Sequence, residues 1–128
     1  MEQVKFDNFD MIARNTNEGF SLLVRVARGH ADFSVNVPIT KSDYIILSEN
    51  KERAEFLYSA LHYAFQCDYK DLGKAREYIN IVLYEKNGVV DSFLTELDHG
   101  KANGSISNLI RIICKRKQSP MRQGKWFK

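Results

Sequence analysis

An α+β fold, with an N-terminal antiparallel β-hairpin or three-stranded meander packed against about four to five α-helices, is predicted by three features of the sequence. Hydrophobicity repeats every second residue between Phe20 and Ile39, the period lengthens to that of a helix after Thr40, and 128 residues supply one core rather than two. At this length folding removes about two-thirds of the extended chain's surface from water, so neither a metal nor a disulfide is needed to hold it.

Phe20, Leu22, Val24 and Val26 alternate with Ser21, Leu23, Arg25 and Ala27. After Arg28-Gly29-His30 the alternation resumes with Phe33, Val35, Val37 and Ile39 on one face. Two such runs around a short glycine-containing connection predict a hairpin. Pro38, which has no amide hydrogen to give a ladder, belongs at a strand end or on an edge. Phe9, Met11 and Ala13 begin a third strand, joined through Asn15-Thr16-Asn17-Glu18-Gly19. An isolated pair of strands is marginal in water, so this third strand and a helical cover over the apolar face are both expected.

Thr40 or Ser42 can cap a short helix running through Leu47, and Ser48 offers a second start. The next helix is expected over 49–66, with Ala54, Leu57, Leu61, Ala64 and Phe65 at core spacing and Phe56, Ala60 and Tyr63 widening the stripe. So little polar surface predicts packing on more than one side. Asp71 can cap a further helix bearing Leu72, Ala75, Ile79, Val82 and Leu83, with Lys86-Asn87-Gly88 as its stop. The β-branched density from Tyr78 to Tyr84 also suits a strand, but the Ala75-Arg76-Glu77 lead-in favours helix. A shorter helix follows over Val89 to Asp98, broken by His99-Gly100. Ser105 then caps a last one, with Ile106, Leu109, Ile110 and Ile113 facing inward and Arg111, Lys115 and Arg116 facing water. Periodicity ends at Lys117, which divides the chain into an α+β domain over 1–117 and a basic flexible tail over 118–128.

The composition, 44% hydrophobic and 27% charged with 7 Gly and 2 Pro, is that of a globular protein. No apolar run approaches the roughly 20 residues that span a bilayer, and the first residues lack a signal-peptide core. Two distant cysteines, Cys67 and Cys114, make no disulfide framework, which predicts a reducing, cytoplasmic setting and no membrane association. The net charge of +3 conceals a segregation: residues 1–98 hold all 16 carboxylates and sum to −5, whereas residues 99–128 carry eight cations and no acid. Such an asymmetry reads as an acidic body with a basic tail.

No catalytic signature emerges. His30, His62 and His99 have no second ligand at helical spacing and there is no Cys-x-x-Cys, so no metal and no other cofactor is expected. His62 and Cys67 lie five residues apart without a third group to orient a Cys-His nucleophile, and a helix-surface imidazole beside a small buried thiol explains them more simply. Glu52 and Glu55 share a helical face, but an exposed first-turn pair serves the helix dipole rather than acid–base catalysis. With Glu49, Asp68 and Asp71 they make an acidic section that also bears Tyr58 and Tyr69. Tyrosine suits interfaces and acidic patches hasten encounter with basic proteins, although each ring equally suits a core edge. In the tail, Lys115, Arg116, Lys117, Arg122, Lys125 and Trp126 combine phosphate-neutralising charge with a stackable ring, which is the alternative: a small nucleic-acid-binding accessory protein.

The hairpin followed by Pro38-Ile39-Thr40-Lys41-Ser42-Asp43-Tyr44, and then by Glu52-Arg53-Ala54-Glu55-Phe56-Leu57-Tyr58-Ser59-Ala60-Leu61-His62, resembles the small immunity proteins of bacterial contact-dependent growth inhibition and related polymorphic-toxin systems. The resemblance covers about half the chain and is general. It implies a non-enzymatic cytoplasmic protein that binds and neutralises a cognate toxin domain, often a nuclease, by covering its active or substrate-binding surface. The cationic terminus departs from that pattern, because it would repel a basic toxin. The partner-binding residues expected on this reading are Glu49, Glu52, Glu55, Tyr58, His62, Asp68, Tyr69 and Asp71.

Overall fold

A computed structural model describes residues 2–128, apart from the side chain of Arg28. Four strands, β1 (Glu2–Lys5), β2 (Met11–Thr16), β3 (Gly19–Arg28) and β4 (Ala31–Pro38), form an antiparallel sheet in the order β1-β2-β3-β4. The expected hairpin is β3 and β4, with Leu22 opposite Val37 and Val24 opposite Val35. The expected third strand is β2. Strand β1 was not foreseen, because only Val4 of Glu2-Gln3-Val4-Lys5 turns toward the core and an edge strand shows half an alternation at best.

Six helices follow: α1 (Lys41–Glu49), α2 (Lys51–Cys67), α3 (Leu72–Tyr84), α4 (Asn87–His99), α5 (Ser105–Cys114) and α6 (Gln118–Arg122). The α+β class is therefore as predicted, and Tyr78 to Tyr84 is helical. Thr40 caps α1 in a full capping box with Asp43. Asn50, rather than Ser48, caps α2 by accepting from the Arg53 amide at 3.1 Å. Asn87-Gly88 does not stop α3 but opens α4; α3 ends at Tyr84, near which the Arg53 guanidinium donates to the Val82 carbonyl at 2.9 Å and to the Asn87 side-chain oxygen at 2.9 Å. Nor does Ser105 cap α5: Gly104, at φ +85°, occupies that position, and the orphan Ser107 amide finds the Asp98 carboxylate at 2.9 Å. A cap supplied from the preceding helix has no local signature.

The helices lie over the sheet face formed by Met11, Ala13, Leu22, Val24, Val26, Val35 and Val37, all buried. Helix α2 is at the centre. From Ala54 to Leu61 every residue is buried, and the helix packs against β3, α3 and α5.

The segment expected as a flexible tail is folded. Helix α6 buries Met121, a left-handed turn at Gly124 (φ +96°) redirects the chain, and Trp126 enters the core with 0% of its surface exposed. There the indole N–H donates to Thr95 Oγ1 at 2.9 Å, the Trp126 amide donates to Asp91 Oδ1 at 3.1 Å, and the ring meets Phe56 edge-on. Phe127 also stacks edge-on against Phe56, with the Arg53 guanidinium 5.2 Å from its centroid. The segment carries no helical period because it contributes single plugs rather than a face.

Strand β3 outruns its partner β2, and α2 completes the exposed edge. Past the Met11–Val24 pair, the Arg25 amide donates to the Asp10 carbonyl, the Tyr58 hydroxyl reaches the Arg25 carbonyl at 3.5 Å, His62 Nε2 accepts from the Ala27 amide at 3.2 Å, and Gln66 donates to the Ala27 carbonyl at 2.6 Å. Tyr58, His62 and Gln66 are spaced by four residues, about 6 Å along a helix, which nearly matches the roughly 6.8 Å between alternate residues of a strand.

Two outcomes test this packing. Trp126→Ala removes a fully buried ring and its hydrogen bond to Thr95, so thermal or denaturant melts should show a loss of about 3–5 kcal/mol; an unfolded tail would tolerate the change within about 0.5 kcal/mol. Burial lowers the His62 pKa below its ordinary value of 6.5, consistent with a neutral imidazole accepting from Ala27. The unfolded chain then binds this proton first, so His62 costs stability as pH falls through 6.5 toward the lower folded value. His62→Gln should flatten the stability-versus-pH curve in that window, and an unchanged slope would refute the assignment.

Candidate protein-binding surface

Much of the chemistry expected at the surface is spent inside. Asp43, fully buried, accepts from the Thr40 amide at 2.8 Å, from both Arg76 terminal nitrogens at 2.8 and 3.1 Å, and from the Tyr84 hydroxyl at 2.6 Å. Burial pushes its carboxyl upward, but these donors outweigh burial and hold the pKa below the usual value. Asp98, also fully buried, binds the Ser107 amide and hydroxyl and the Arg122 guanidinium, the last at 3.1 Å. Each carboxylate thus joins elements distant in sequence: α1 to α3 in the first case, and α4 to α5 and α6 in the second.

The expected partner-binding residues divide into two groups. Glu55 is only 8% exposed, beside the Cys114 thiol, whose pKa is pushed up to about 12 by burial and then by the Glu55 carboxylate. Glu52 accepts from the Lys128 amide at 2.9 Å and faces Arg116 at 3.8 Å. The exposed first-turn pair expected at Glu52 and Glu55 is therefore absent: one member lies under α5 and the other holds the C-terminus. Tyr58 and His62 complete the β3 edge. The Tyr58 hydroxyl is raised to about 12 by burial and then by the nearby Asp10 carboxylate, and its ring stacks on Phe9. Glu49 and Asp68 remain exposed, and Asp71 is half-buried as the cap of α3, accepting from the Lys74 amide at 2.9 Å. Tyr69 is exposed.

The residues of the nucleic-acid alternative divide likewise. Trp126 has no free ring to stack on a base. Arg116 donates to the Trp126 carbonyl and Arg122 to Asp98, leaving Lys115, Lys117 and Lys125 at the surface. His62 Nε2 is taken by the Ala27 amide, and Cys67, expected to be buried, is exposed. Among the described residues no group of three or more His, Cys, Asp or Glu side chains is placed to hold a metal ion, and no helix is long and apolar enough to cross a membrane.

Two surface features bear on the residues above. At the end of the molecule where α2 turns into α3, Tyr69 is 49% and Leu72 41% exposed, and the Tyr69 ring meets Phe33 of β4 edge-on at 4.8 Å. Asp68 and Lys70 flank it, with the Lys70 ammonium 5.0 Å from the ring centroid. The sequence reading places Tyr69 among the partner-binding residues, whereas it puts Leu72 on the core face of its helix and Phe33 on the inward strand face; Leu72 is instead exposed. On the far side of the sheet, which no helix covers, Lys5, Phe6, Asp10, Ile12, Leu23 and Arg25 line an open cleft of about 260 Å³. Ile12, Leu23 and Arg25 were placeable from the strand alternation, whereas Lys5 required the unforeseen β1.

A charge-reversal scan should separate these environments. Glu55→Lys puts a cation into a buried site near Arg116 and should cost about 3 kcal/mol or more in a denaturant melt, whereas Glu49→Lys should stay within about 0.5 kcal/mol. Equal melts would place Glu55 at the surface after all. No family model, no curated protein and no solved structure matches the chain.

Proposed function

We propose that the protein is a non-catalytic binding module of the immunity type, which neutralises a cognate bacterial toxin domain in the cytoplasm by covering its active or substrate-binding surface. The observation that carries this reading is the half-exposed Tyr69–Leu72 pair, braced by Phe33 and bordered by Asp68. A large aromatic ring held rigidly by an edge-on neighbour loses little side-chain freedom on binding, and an adjacent aliphatic group widens the apolar contact. Asp68 and Asp71 outnumber Lys70 at its rim, and this small negative balance favours encounter with the cationic substrate surface of a nuclease. Glu49 belongs to a separate part of the surface, on α1. The remaining four residues first expected in the interface hold the fold together, and their contribution to binding is through that scaffold.

The test is co-expression of the chain with the toxin-type domain encoded beside it, followed by growth and by co-purification of a complex. Rescue of growth and a stoichiometric complex are expected. Tyr69→Ala with Leu72→Ser, at unchanged melting temperature, should weaken the complex at least about tenfold, which corresponds to about 1.4 kcal/mol. Rescue that persists with the doubly substituted chain at wild-type affinity would move the interface elsewhere. Absence of any toxin-type neighbour, or salt-sensitive RNA or DNA binding by the intact chain, would remove the reading itself.

A further inference from the structure

The cleft on the uncovered sheet face has the composition of a small-molecule site. Ile12 of β2 and Leu23 of β3, directly opposite each other in the ladder, form its floor. Phe6 forms a wall, its ring stacked on Phe9 at 4.8 Å, and Phe9 in turn is stacked on Tyr58 at 5.0 Å, so this wall is anchored to α2. Lys5 reaches the cleft from β1 and Arg25 from β3. The pair that Arg25 makes with Asp32 is long, 3.4 Å, with both side chains at least half exposed, and such a pair is weak and readily exchanged for another acceptor. Asp10 is the single carboxylate of the lining, so the two cations leave it with a positive balance. Apolar floor, aromatic wall and two cations in one lining are the features that orient a small ligand with one charged end.

The geometry points to a binding site for a small amphipathic organic anion, its apolar body lying over Ile12 and Leu23 against the Phe6 ring and its carboxylate between Lys5 and Arg25. An inorganic anion would leave the floor unused. An uncharged apolar molecule would offer Lys5 no acceptor and leave Arg25 with only its long contact to Asp32. A cationic or zwitterionic ligand would depend on Asp10, whereas an anion is opposed by it. The site lies on the sheet face opposite the helices, and it does not rest on the toxin-neutralising reading.

Phenylacetate is a suitable probe, titrated into the full-length protein and followed by amide chemical shifts, with 2-phenylethanol and inorganic phosphate as comparisons. Saturable shifts confined to Lys5, Phe6, Ile12, Leu23 and Arg25 are expected at millimolar phenylacetate. Arg25→Gln and Lys5→Gln, two exposed positions whose spectra report whether the fold is kept, should each weaken binding by about tenfold, the scale of one charge-assisted hydrogen bond. Asp10→Asn should strengthen it. The proposal is overturned by an absence of saturable shifts up to about 20 mM, well above the roughly millimolar range of weak specific ligands. It is equally overturned by binding of 2-phenylethanol or phosphate as tight as that of phenylacetate, or by weaker binding in Asp10→Asn, which would identify a ligand that needs the carboxylate.

Discussion

The burial of α2 on all sides is the constraint from which most of the structure follows. Eight consecutive buried residues, from Ala54 to Leu61, cannot be covered by a sheet on one side alone. A helix presents about 100° to each neighbour, so the sheet, α3, α5 and a further element are all required around it. The C-terminal segment is that further element: Trp126 and Phe127 close against Phe56 where the helices leave a gap. The polar residues of α2 obey the same constraint. With no solvent-facing stripe to occupy, Tyr58, His62 and Gln66 turn to the unpaired edge of β3, which would otherwise expose a template for pairing with another chain.

Burial also explains where the charge asymmetry goes. An acidic body and a basic terminus, read as two independent surfaces, imply two partners; folded together, two cations of the terminus take carboxylates of the body as theirs. Arg122 reaches Asp98, Arg116 faces Glu52, and the Lys128 amide ends on the same Glu52 carboxylate. A buried carboxylate–guanidinium pair adds little net stability over an apolar pair of the same shape, but leaving one member alone is costly, so these contacts act chiefly by admitting one arrangement of the C-terminal segment over Asp98. The bidentate Asp43–Arg76 pair does the same for α1 against α3.

Residues in periodic elements were legible in the sequence, and residues in tertiary roles were not. The β3–β4 hairpin, the cap at Asp71 and the many-sided packing of α2 all follow from local spacing. What failed to show were groups whose partner is distant: Asp98 capping α5 across the intervening turn, Arg53 sealing the end of α3 from α2, and Trp126 filling a gap beside α2 and α4. Glu52 and Glu55 illustrate the limit. Their helical spacing is plain in the sequence, yet exposure depends on what lies above the helix, and the covering residues, Arg116 and Lys128 at Glu52 and Cys114 at Glu55, come much later in the chain.

The division of labour between the two faces of the sheet bears on both functional proposals. On the helix-covered face apolar and charged groups are nearly all paired, so a partner could reach them only by opening the core. The opposite face keeps Lys5 and Arg25 exposed and Ile12 and Leu23 partly so, and the hairpin tip brings Phe33 against Tyr69 at the edge between the two faces. Binding at either place therefore requires no rearrangement of α2 or of the C-terminal lock. A protein organised in this way presents preformed surfaces, and the affinity of whatever it binds is set by contact chemistry rather than by the cost of refolding.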